Sequence, residues 1–305
     1  MIKELLDEYA RLSSLCEKNS LKITDEKEIN YGFQLTLLSS EQEISLRIYF
    51  SKKKRISHVI GGSPKNPLRT VLEKLLYQTS KADPFDHNWD IWIGTDESGK
   101  GDFFGPLVTA GFVCKKVMIP YLKQIGIRDS KLIKDKEIIQ IAKSIYAKFG
   151  YFIEVVILAP EKYNELYEKF RSQNKKLNEL LAWMHSRVIV NAYQKTKFDG
   201  ALIDQFAKQK IFKNSLKDLS KIQIKTVVRG ESDIAVATAS IIARYHFLES
   251  MKNMSDKYRL KFPKGASQGV IDFGKDFIDS YGKAEIDKVA KTHFVTMKKI
   301  QSESK

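Results

Sequence analysis

Residues 90–102, DIWIGTDESGKGD, join an apolar segment directly to two adjacent acids and a glycine-rich turn. The apolar part, Ile91–Thr95, is typical of a buried strand. Neighbouring side chains on a regular strand point to opposite faces of the sheet, so Asp96 and Glu97 can share one site only if the strand ends or kinks there, or if a backbone carbonyl contributes. A buried carboxylate is costly unless it is paired or bound to a metal. The segment by itself leaves two interpretations open, a functional site and a solvated turn after an edge strand.

Two later segments have the same design, because each is a short strand that leads into an acid. Residues 201–203 end in Asp204, and residues 222–228 lead to Glu231. Open sheets place their sites beyond strand ends. Four carboxylates gathered there would repel one another without cations, and Mg²⁺ or Mn²⁺ prefer such oxygen ligands. The pattern therefore predicts a two-metal site, which can activate water and bind the leaving oxygen of a phosphodiester.

The 305-residue chain carries 52 basic and 37 acidic side chains, a formal net charge of +15. Residues 1–90 hold 14 of the basic and 13 of the acidic side chains, so nearly all of the excess lies in residues 91–305. The positive electrostatic field of this excess charge favours a polyanionic partner, and nucleic acid is the first expectation. A basic surface around an acidic metal cluster is typical of a nuclease.

Length and residue usage exclude other classes of protein. At about 150 residues per domain, the length predicts two domains. No apolar run approaches the roughly 20 residues needed to span a bilayer, and the acidic, amphipathic start of the chain argues against a secretory signal. The two cysteines, Cys16 and Cys114, define neither a disulfide framework nor a zinc cluster. We therefore expect a cytoplasmic monomer with no membrane partner and no obligatory protein partner.

The N-terminal part of the chain is predicted to form a small α+β domain, a strand meander covered by two helices. An apolar stripe over residues 2–15 indicates the first helix, and Asn66 followed by Pro67 is typical of the start of the second. Strands are predicted at residues 33–37, 44–50 and 56–60. A polar segment that contains a proline is interpreted as a linker. The predicted bounds are 1–82 for the N-terminal domain, 83–89 for the linker and 90–305 for the catalytic domain.

The catalytic part mixes the periodicities of strands and helices. Three strands come early and two later strands are separated by long helices, an order that predicts a mixed α/β sheet with helices on both faces. Strands are expected at Ile91–Thr95, Leu107–Cys114, Tyr151–Leu158, Ala201–Ile203 and Ile222–Val228. Helices are expected at Lys134–Phe149, Glu161–Phe170, Leu177–Lys195, Asp233–Asn253, Gln268–Ser280 and Ala284–Lys299. The helix after Glu231 is rich in alanine, serine and threonine, so it can approach a sheet closely.

The segment Asp96–Val108, DESGKGDFFGPLV, resembles the opening motif of type 2 ribonucleases H, in the form found in ribonuclease HIII. Further matching blocks follow in the order of that family, over about residues 90–297. They are Asp129–Leu132, Pro160–Asn164, Leu181–His185, Leu202–Phe206, Glu231 with Ala239–Arg244, Phe262–Ala266 and Ala290–Phe294. So many ordered matches are more specific than any single motif.

The resemblance implies an RNase H-like fold and an endoribonuclease that hydrolyses the RNA strand of RNA–DNA hybrids, leaving 5′-phosphate and 3′-hydroxyl ends. It places the family's catalytic, metal-binding acids on Asp96, Glu97, Asp204 and Glu231, and it implies a two-metal site for Mg²⁺ or Mn²⁺. Glutamate at the fourth position is the ribonuclease HIII form, whereas ribonuclease HII has aspartate. The N-terminal extension resembles the TATA-binding-protein-like domain of ribonuclease HIII, which implies that it aids hybrid binding.

The same resemblance implies where the substrate is held. The family's counterpart of the glycine-lysine-glycine turn at residues 99–101 contacts ribose 2′-hydroxyl groups, which distinguish RNA from DNA. Two loops supply further groove contacts, and a basic run in the N-terminal domain is expected near phosphate groups. The candidate substrate contacts are Gly99, Lys100, Gly101, Ser130, Lys131, Lys264, Lys52, Lys53 and Lys54.

Other residues near these motifs receive structural interpretations. Asp233 follows Glu231 by two positions, but a residue at the start of a helix is more often a cap than a ligand. Trp183 and His185 lie on an apolar helix and are interpreted as core residues. Asp129 and His293 belong to matched blocks, yet the sequence assigns them no chemistry.

Two alternatives to a hybrid-cleaving enzyme remain open at this point. One is action at single ribonucleotides embedded in duplex DNA, as in ribonuclease HII, although the fourth acid, Lys100 and the N-terminal extension favour the HIII form. The other is a nucleic-acid binder without catalysis. Three strands that end in acids argue against the binder, because an acidic cluster repels phosphate unless metal ions neutralise it.

Overall fold

The structure is a computed structural model that divides into two compact units, Met1–Pro84 and Phe85–Lys305. It describes residues 2–39, 42–50, 56–63, 66–78, 87–128, 130–204, 212, 216, 219, 222–227 and 230–303. The expected linker, residues 83–89, lies partly outside the described residues. No helix in the described part of the chain combines the length and the apolarity that crossing a membrane requires.

The first unit is a four-stranded antiparallel meander with two helices. Its elements are α1 (Ile2–Lys18), β1 (Lys22–Ile29), β2 (Gly32–Ser39), β3 (Gln42–Phe50), β4 (Ile56–Ile60) and α2 (Pro67–Gln78), and the strands lie in the order β1-β2-β3-β4. Alternate residues of β2 and β3, such as Leu35 and Leu46, are fully buried with Leu12 of α1 and Leu72 of α2. The predicted start of α2 is confirmed, since the Asn66 side chain accepts a hydrogen bond from the Leu68 amide at 2.9 Å.

The strand β1 was not predicted. Its sequence, KITDEKEI, is mostly charged and has no apolar alternation, and most of its residues are exposed. It forms because its backbone pairs with β2, from Lys22 opposite Leu38 to Ile29 opposite Gly32. Edge strands with charged residues also resist pairing with other chains.

The second unit has a five-stranded mixed sheet. Its strands are β5 (Ile91–Ser98), β6 (Leu107–Lys115), β7 (Ile153–Leu158), β8 (Gly200–Asp204) and β9 (Gln223–Val227), in the spatial order β7-β6-β5-β8-β9. The β7-β6-β5 pairs are antiparallel, and the β5-β8-β9 pairs are parallel. Its helices are α3 (Ile119–Gln124), α4 (Asp135–Phe149), α5 (Pro160–Ser172), α6 (Leu177–Lys195), α7 (Ile234–Tyr258), α8 (Gln268–Tyr281) and α9 (Val295–Glu303). The expected mixed α/β sheet with flanking helices is confirmed.

The side chains of β5 alternate between the two faces of this sheet. Trp92 packs in the core that contains α4 and α7, whereas its neighbour Ile93 packs in a second core that contains Val188 of α6. Gly94 lies against the first turn of α7, where a Cβ on that glycine would come within 2.3 Å of the Val236 nitrogen and the Ala235 carbonyl carbon. The close approach expected from the small residues of α7 is therefore confirmed.

The long final helix expected at Ala284–Lys299 is wrong. The chain forms a 3₁₀ turn over Lys283–Lys288, an irregular segment of turns, and then α9. In the irregular segment Ala290 bridges to Phe104, and the Lys291 amide donates to the Phe103 carbonyl at 2.8 Å. These long-range hydrogen bonds take the place of helical hydrogen bonds. Sequence periodicity cannot reveal them, because their partners lie far away in the chain.

Candidate active site

The two adjacent acids lie inside β5, not after it. The strand continues to Ser98 opposite Val108 of β6, three residues beyond the predicted end at Thr95, and it ends where the glycine-rich turn begins. On the other side, the pairing with β8 stops at Thr95 opposite Ile203. The last residues of β5 therefore extend past β8, and both acids reach the space that this difference in strand length leaves open.

A pocket of about 380 Å³ lies at this edge of the sheet. It contains three of the four predicted acids, together with the glycine-rich turn and residues of α7. Its lining residues are Asp96, Glu97, Ser98, Gly99, Lys100, Gly101, Ser130, Lys131, Asp204, Ser240 and Arg244. The strand ends thus bring together acids that are more than 100 residues apart in the chain, as the sequence predicted for Asp96 and Asp204.

Asp96 faces α7. Its carboxyl group accepts hydrogen bonds from the Ser240 side chain and from the Glu97 amide, the latter at 2.8 Å. Burial is the main reason that the pKa of Asp96 rises to about 8, and the neighbouring charge of Glu97 adds to the effect. Asp96 is thus a partly buried acid that stays protonated at neutral pH until a cation or another positive group stabilises its charge.

Glu97 faces the opposite side, toward α6. Burial opposes its ionisation, but hydrogen bonds and charge from His185 and Lys100 outweigh that effect and lower its pKa below the ordinary value. The Lys100 ammonium lies 3.2 Å from Oε1, and His185 Nε2 lies 3.1 Å from Oε2. The two adjacent acids therefore differ, since Glu97 carries its charge at neutral pH and Asp96 does not.

His185 was interpreted as a core residue, and its burial confirms that part of the interpretation. The sequence did not reveal that both of its ring nitrogens contact β5, with Nδ1 2.8 Å from the Thr95 hydroxyl. Helical periodicity shows only that the position faces inward. The contact with Glu97 depends on how α6 packs against the sheet.

A backbone hydrogen bond links Asp204 to the segment that carries Glu231. The Gly230 amide donates to Asp204 Oδ1 at 2.9 Å, and a Cβ on Gly230 would lie 3.2 Å from that oxygen. The next residue, Glu231, is partly exposed in a 3₁₀ turn before α7 and does not line the pocket. Asp233 caps α7 by accepting from the Ala235 and Val236 amides, so its predicted role as a cap is confirmed.

The chemistry of this donor set fits a hard divalent cation. Asp96, Glu97 and Asp204 supply carboxylate oxygens on one pocket, and the raised pKa of Asp96 marks a place where negative charge lacks compensation. Within the described ranges, no three His, Cys, Asp or Glu side chains are already grouped closely enough to hold a metal ion.

Three cationic side chains surround the acids. Lys100 and Lys131 line the pocket, and Arg244 of α7 donates to the Ser130 carbonyl and, at 2.6 Å, to Asp135. Asp135 also accepts from Lys264 at 2.5 Å. Lys264 is thus held beside Arg244 by a shared carboxylate and does not line the pocket. The sequence did not single out Arg244, although it ends one of the matched blocks.

The glycine-rich turn has two glycines with different roles. Gly99 has a φ of +88°, and a Cβ there would come within 2.2 Å of the Pro106 carbonyl oxygen. Only glycine fits that backbone without strain. A Cβ on Gly101, in contrast, would meet no atom of the described residues within 4 Å. The second glycine is therefore not required by the packing of the described residues.

Two later motif blocks hold this turn and the loop after it. The Asp102 carboxylate accepts from the Gly265 amide at 2.6 Å. Lys291 is fully buried and donates to the Gly105 carbonyl at 2.5 Å, and burial lowers its pKa to about 7. His293 packs against aromatic rings, including Tyr167 with ring centroids 4.1 Å apart. Lys52, Lys53, Lys54 and Asp129 lie outside the described residues.

Comparisons with known proteins identify the family of this chain. A family model described as Ribonuclease HII matches residues 93–297. Ribonuclease HIII of Chlamydia felis is 44% identical over 215 residues, which cover 68% of this chain and 69% of that protein. Ribonuclease HIII of Chlamydia caviae is 38% identical over 274 residues and 88% of both chains.

Solved structures show the same fold. Bst-RNase HIII in complex with Mn²⁺ has a TM-score of 0.67 and 24% sequence identity, with 99% of this chain and 97% of that chain covered. Aquifex aeolicus RNase H3 has a TM-score of 0.53 and 23% identity over 94% of this chain and 96% of that chain. By the match to the family model and the identity to its relatives, this chain belongs to the type 2 ribonucleases H, as a ribonuclease HIII, and is an endonuclease of the hydrolase class.

Proposed function

We propose that this ribonuclease hydrolyses the RNA strand of RNA–DNA hybrids with two divalent metal ions, leaving 5′-phosphate and 3′-hydroxyl ends. The observation that carries the proposal is the pocket in which Asp96, Glu97 and Asp204 meet at one sheet edge, bordered by Lys131 and Arg244. Acidic side chains can bind the metal ions that activate water, and the basic side chains around them can bind phosphate groups. This arrangement suits the hydrolysis of a polyanionic substrate.

The residues that would hold the ions are Asp96, Glu97, Asp204 and Glu231. Bound Mg²⁺ or Mn²⁺ supplies the activation of water and the stabilisation of charge on the leaving oxygen. Asp96 holds a proton at neutral pH, because its pKa is about 8. It would lose that proton on becoming a metal ligand, since only the carboxylate form binds the ion. Lys131 and the Ser130 hydroxyl, which also contacts Ser240 at 2.8 Å, bind the RNA backbone at the pocket rim.

The experiment that tests this function is digestion of a labelled RNA–DNA hybrid in Mg²⁺ or Mn²⁺, with duplex DNA and duplex RNA as controls. We expect cleavage of the hybrid RNA strand only, and products that carry 5′-phosphate. A substrate with one ribonucleotide in duplex DNA separates the two ribonuclease types. Preferential cleavage of that substrate would contradict the proposal in favour of the ribonuclease HII activity.

We further propose that the glycine-rich turn recognises ribose 2′-hydroxyl groups. The space above Gly101 is open, so its backbone can approach a bound strand as closely as hydrogen bonding requires. Lys100, beside it, contacts a phosphate group once the substrate displaces its interaction with Glu97. Lys264 exchanges its contact with Asp135 for a phosphate in the same way.

Gly101→Ala tests this role of the turn. The added methyl group strains no backbone angle and meets no neighbour in the described structure, so stability stays unchanged. It occupies the space assigned to the ribose, so we expect KM for the hybrid to rise about tenfold, which corresponds to the loss of one hydrogen bond of about 1.4 kcal/mol. Gly269→Ala, at another open position, is the matched control. Unchanged KM in Gly101→Ala would contradict the assignment.

We also propose that the first unit aids hybrid binding through the sheet face opposite its two helices. That face carries polar, partly exposed side chains, among them Gln34, Arg47 and Tyr49. Arg47 is held by its Nε, which donates to Gln34 at 2.7 Å. An ordered guanidinium beside an aromatic ring suits a sugar–phosphate backbone. The basic run Lys52, Lys53 and Lys54 adjoins this strand in sequence and adds charge.

Arg47→Ala is expected to weaken hybrid binding and to reduce the slope of log affinity against log salt concentration by about 1, because one phosphate contact is lost. Lys18→Ala is the control, since it removes the same charge from an exposed position at the end of α1. Fluorescence anisotropy at several salt concentrations measures both quantities. Equal slopes in the two variants would disprove the role of this sheet face.

A further inference from the structure

His185 is a polar ring in an apolar environment. It has no exposed surface, and its neighbours on α6, including Leu181, Met184 and Val188, are also fully buried. A buried polar group costs about 1–3 kcal/mol unless its hydrogen bonds are satisfied. Both nitrogens of the His185 ring have partners, at 2.8 Å and 3.1 Å, and both partners belong to the last residues of β5.

The partners of the His185 ring determine whether Nε2 carries a hydrogen. An ionised carboxylate only accepts hydrogen bonds, so we assign a hydrogen to Nε2 that is donated to Glu97 Oε2. The other nitrogen, Nδ1, exchanges a hydrogen bond with the Thr95 hydroxyl, which can donate or accept.

The second donor to Glu97 is of a different kind. Lys100 contacts Oε1 from a flexible side chain that is 38% exposed, so it can leave when substrate or a cation arrives. His185 cannot leave, because its ring is enclosed by the core and held by Thr95, which is itself fully buried. Each carboxylate oxygen has two lone pairs, so the hydrogen bond to Oε2 leaves acceptor sites on Glu97 for a cation.

We infer that His185 is a positioning residue, which holds the Glu97 carboxylate in the orientation that binds the metal ion, with Thr95 orienting the ring. This inference rests on the proposed function, in which Glu97 is a metal ligand. Hydrogen bonds to ligating side chains restrict their rotation, and losing such a partner typically costs 10- to 100-fold in metal affinity or activity. The core of α6 thereby sets the metal affinity of the site.

The test is Mn²⁺ binding to the substrate-free protein, measured by titration calorimetry, together with kcat and KM for the hybrid. His185→Leu should weaken Mn²⁺ binding about 10- to 100-fold and lower kcat at subsaturating metal, with KM unchanged. His185→Gln should restore most of the affinity, because its amide nitrogen reaches the position of Nε2. His185→Asn should not, because its shorter amide reaches only the position of Nδ1.

Two further variants keep the test decisive. Thr95→Val has nearly the same shape and removes only the contact that orients the ring, so it should weaken Mn²⁺ binding even if His185→Leu does not fold. Ser186→Ala is the matched control, since it removes a buried polar atom from the next position of α6, and this atom has no hydrogen-bond partner among the described residues. Its Mn²⁺ affinity should equal that of the wild type.

The outcomes separate this inference from the proposed function. Glu97→Gln serves as the reference, because it removes the ligand itself. If Glu97→Gln leaves Mn²⁺ binding unchanged, Glu97 is not a ligand and the metal assignment in the proposed function is wrong. If Glu97→Gln weakens Mn²⁺ binding while His185→Leu and Thr95→Val do not, Glu97 is still a metal ligand but the positioning role of His185 is disproved. Equal losses in His185→Gln and His185→Leu would also disprove it.

Discussion

Asp96→Asn is expected to reduce metal-dependent cleavage of the hybrid by about 10³-fold. Metal ions supply several kcal/mol of charge stabilisation in such reactions, and each 1.36 kcal/mol is a factor of ten in rate. The Kd for the hybrid should stay within about threefold of the wild-type value, since the basic side chains that contact phosphate are unchanged. Asp279→Asn, an exposed acid on α8, is the control and should keep full activity. Retained cleavage in Asp96→Asn would refute the site assignment.

The same substitution changes how metal binding depends on pH. Below about pH 8 the Asp96 carboxyl group is protonated, so metal binding must displace that proton and affinity rises by up to tenfold per pH unit. Calorimetry in two buffers of different ionisation enthalpy should detect this proton release at pH 7 in the wild type. It should be absent in Asp96→Asn. Equal proton release in both proteins would show that Asp96 is not the group that titrates.

Stability should change in the opposite direction from activity. The folded pKa of Asp96, about 8, lies above its ordinary value of 3.8, so the folded state binds more protons than the unfolded state between these values. The metal-free wild type therefore loses stability as pH rises through that window. Asparagine carries no charge, so metal-free Asp96→Asn should have the higher Tm at pH 8. A lower Tm would mean that the carboxylate is already compensated without metal.

Gly94→Ala is expected to destabilise the second unit by about 3 kcal/mol, at the upper end of overpacking effects. The new Cβ would come within 2.3 Å of backbone atoms of Ala235 and Val236, and backbone in the first turn of α7 cannot give way as a flexible side chain can. The helix must move away from β5. Urea unfolding followed by circular dichroism measures the loss.

This displacement also affects the site, because Glu231 precedes α7 and Ser240 on α7 contacts Asp96. We expect Mn²⁺ binding to weaken in any Gly94→Ala protein that remains folded. Gly101→Ala is the control for stability, since its Cβ meets no atom within 4 Å in the part of the chain that the structure describes. If both variants unfold at the same urea concentration, the close packing of α7 on β5 is not a determinant of stability.

The sequence by itself determined the buried strand β5, the acids near the ends of strands and the caps of two helices. These features are local, because they depend on short apolar runs and on short-range hydrogen bonds such as those of Asn66 and Asp233. The resemblance over residues 96–108 added the family, which the comparisons confirmed. Charge and motif order thus sufficed for the class of enzyme.

Only the tertiary structure decided how these parts meet. Unequal pairing of β5 with β6 and β8 places two acids from opposite faces of one strand on a single pocket. Packing of α6 brings His185 to Glu97, and Asp135 binds both Arg244 and Lys264. Each of these contacts joins residues far apart in the chain, so their geometry depends on how whole elements pack, which no local pattern of residues encodes.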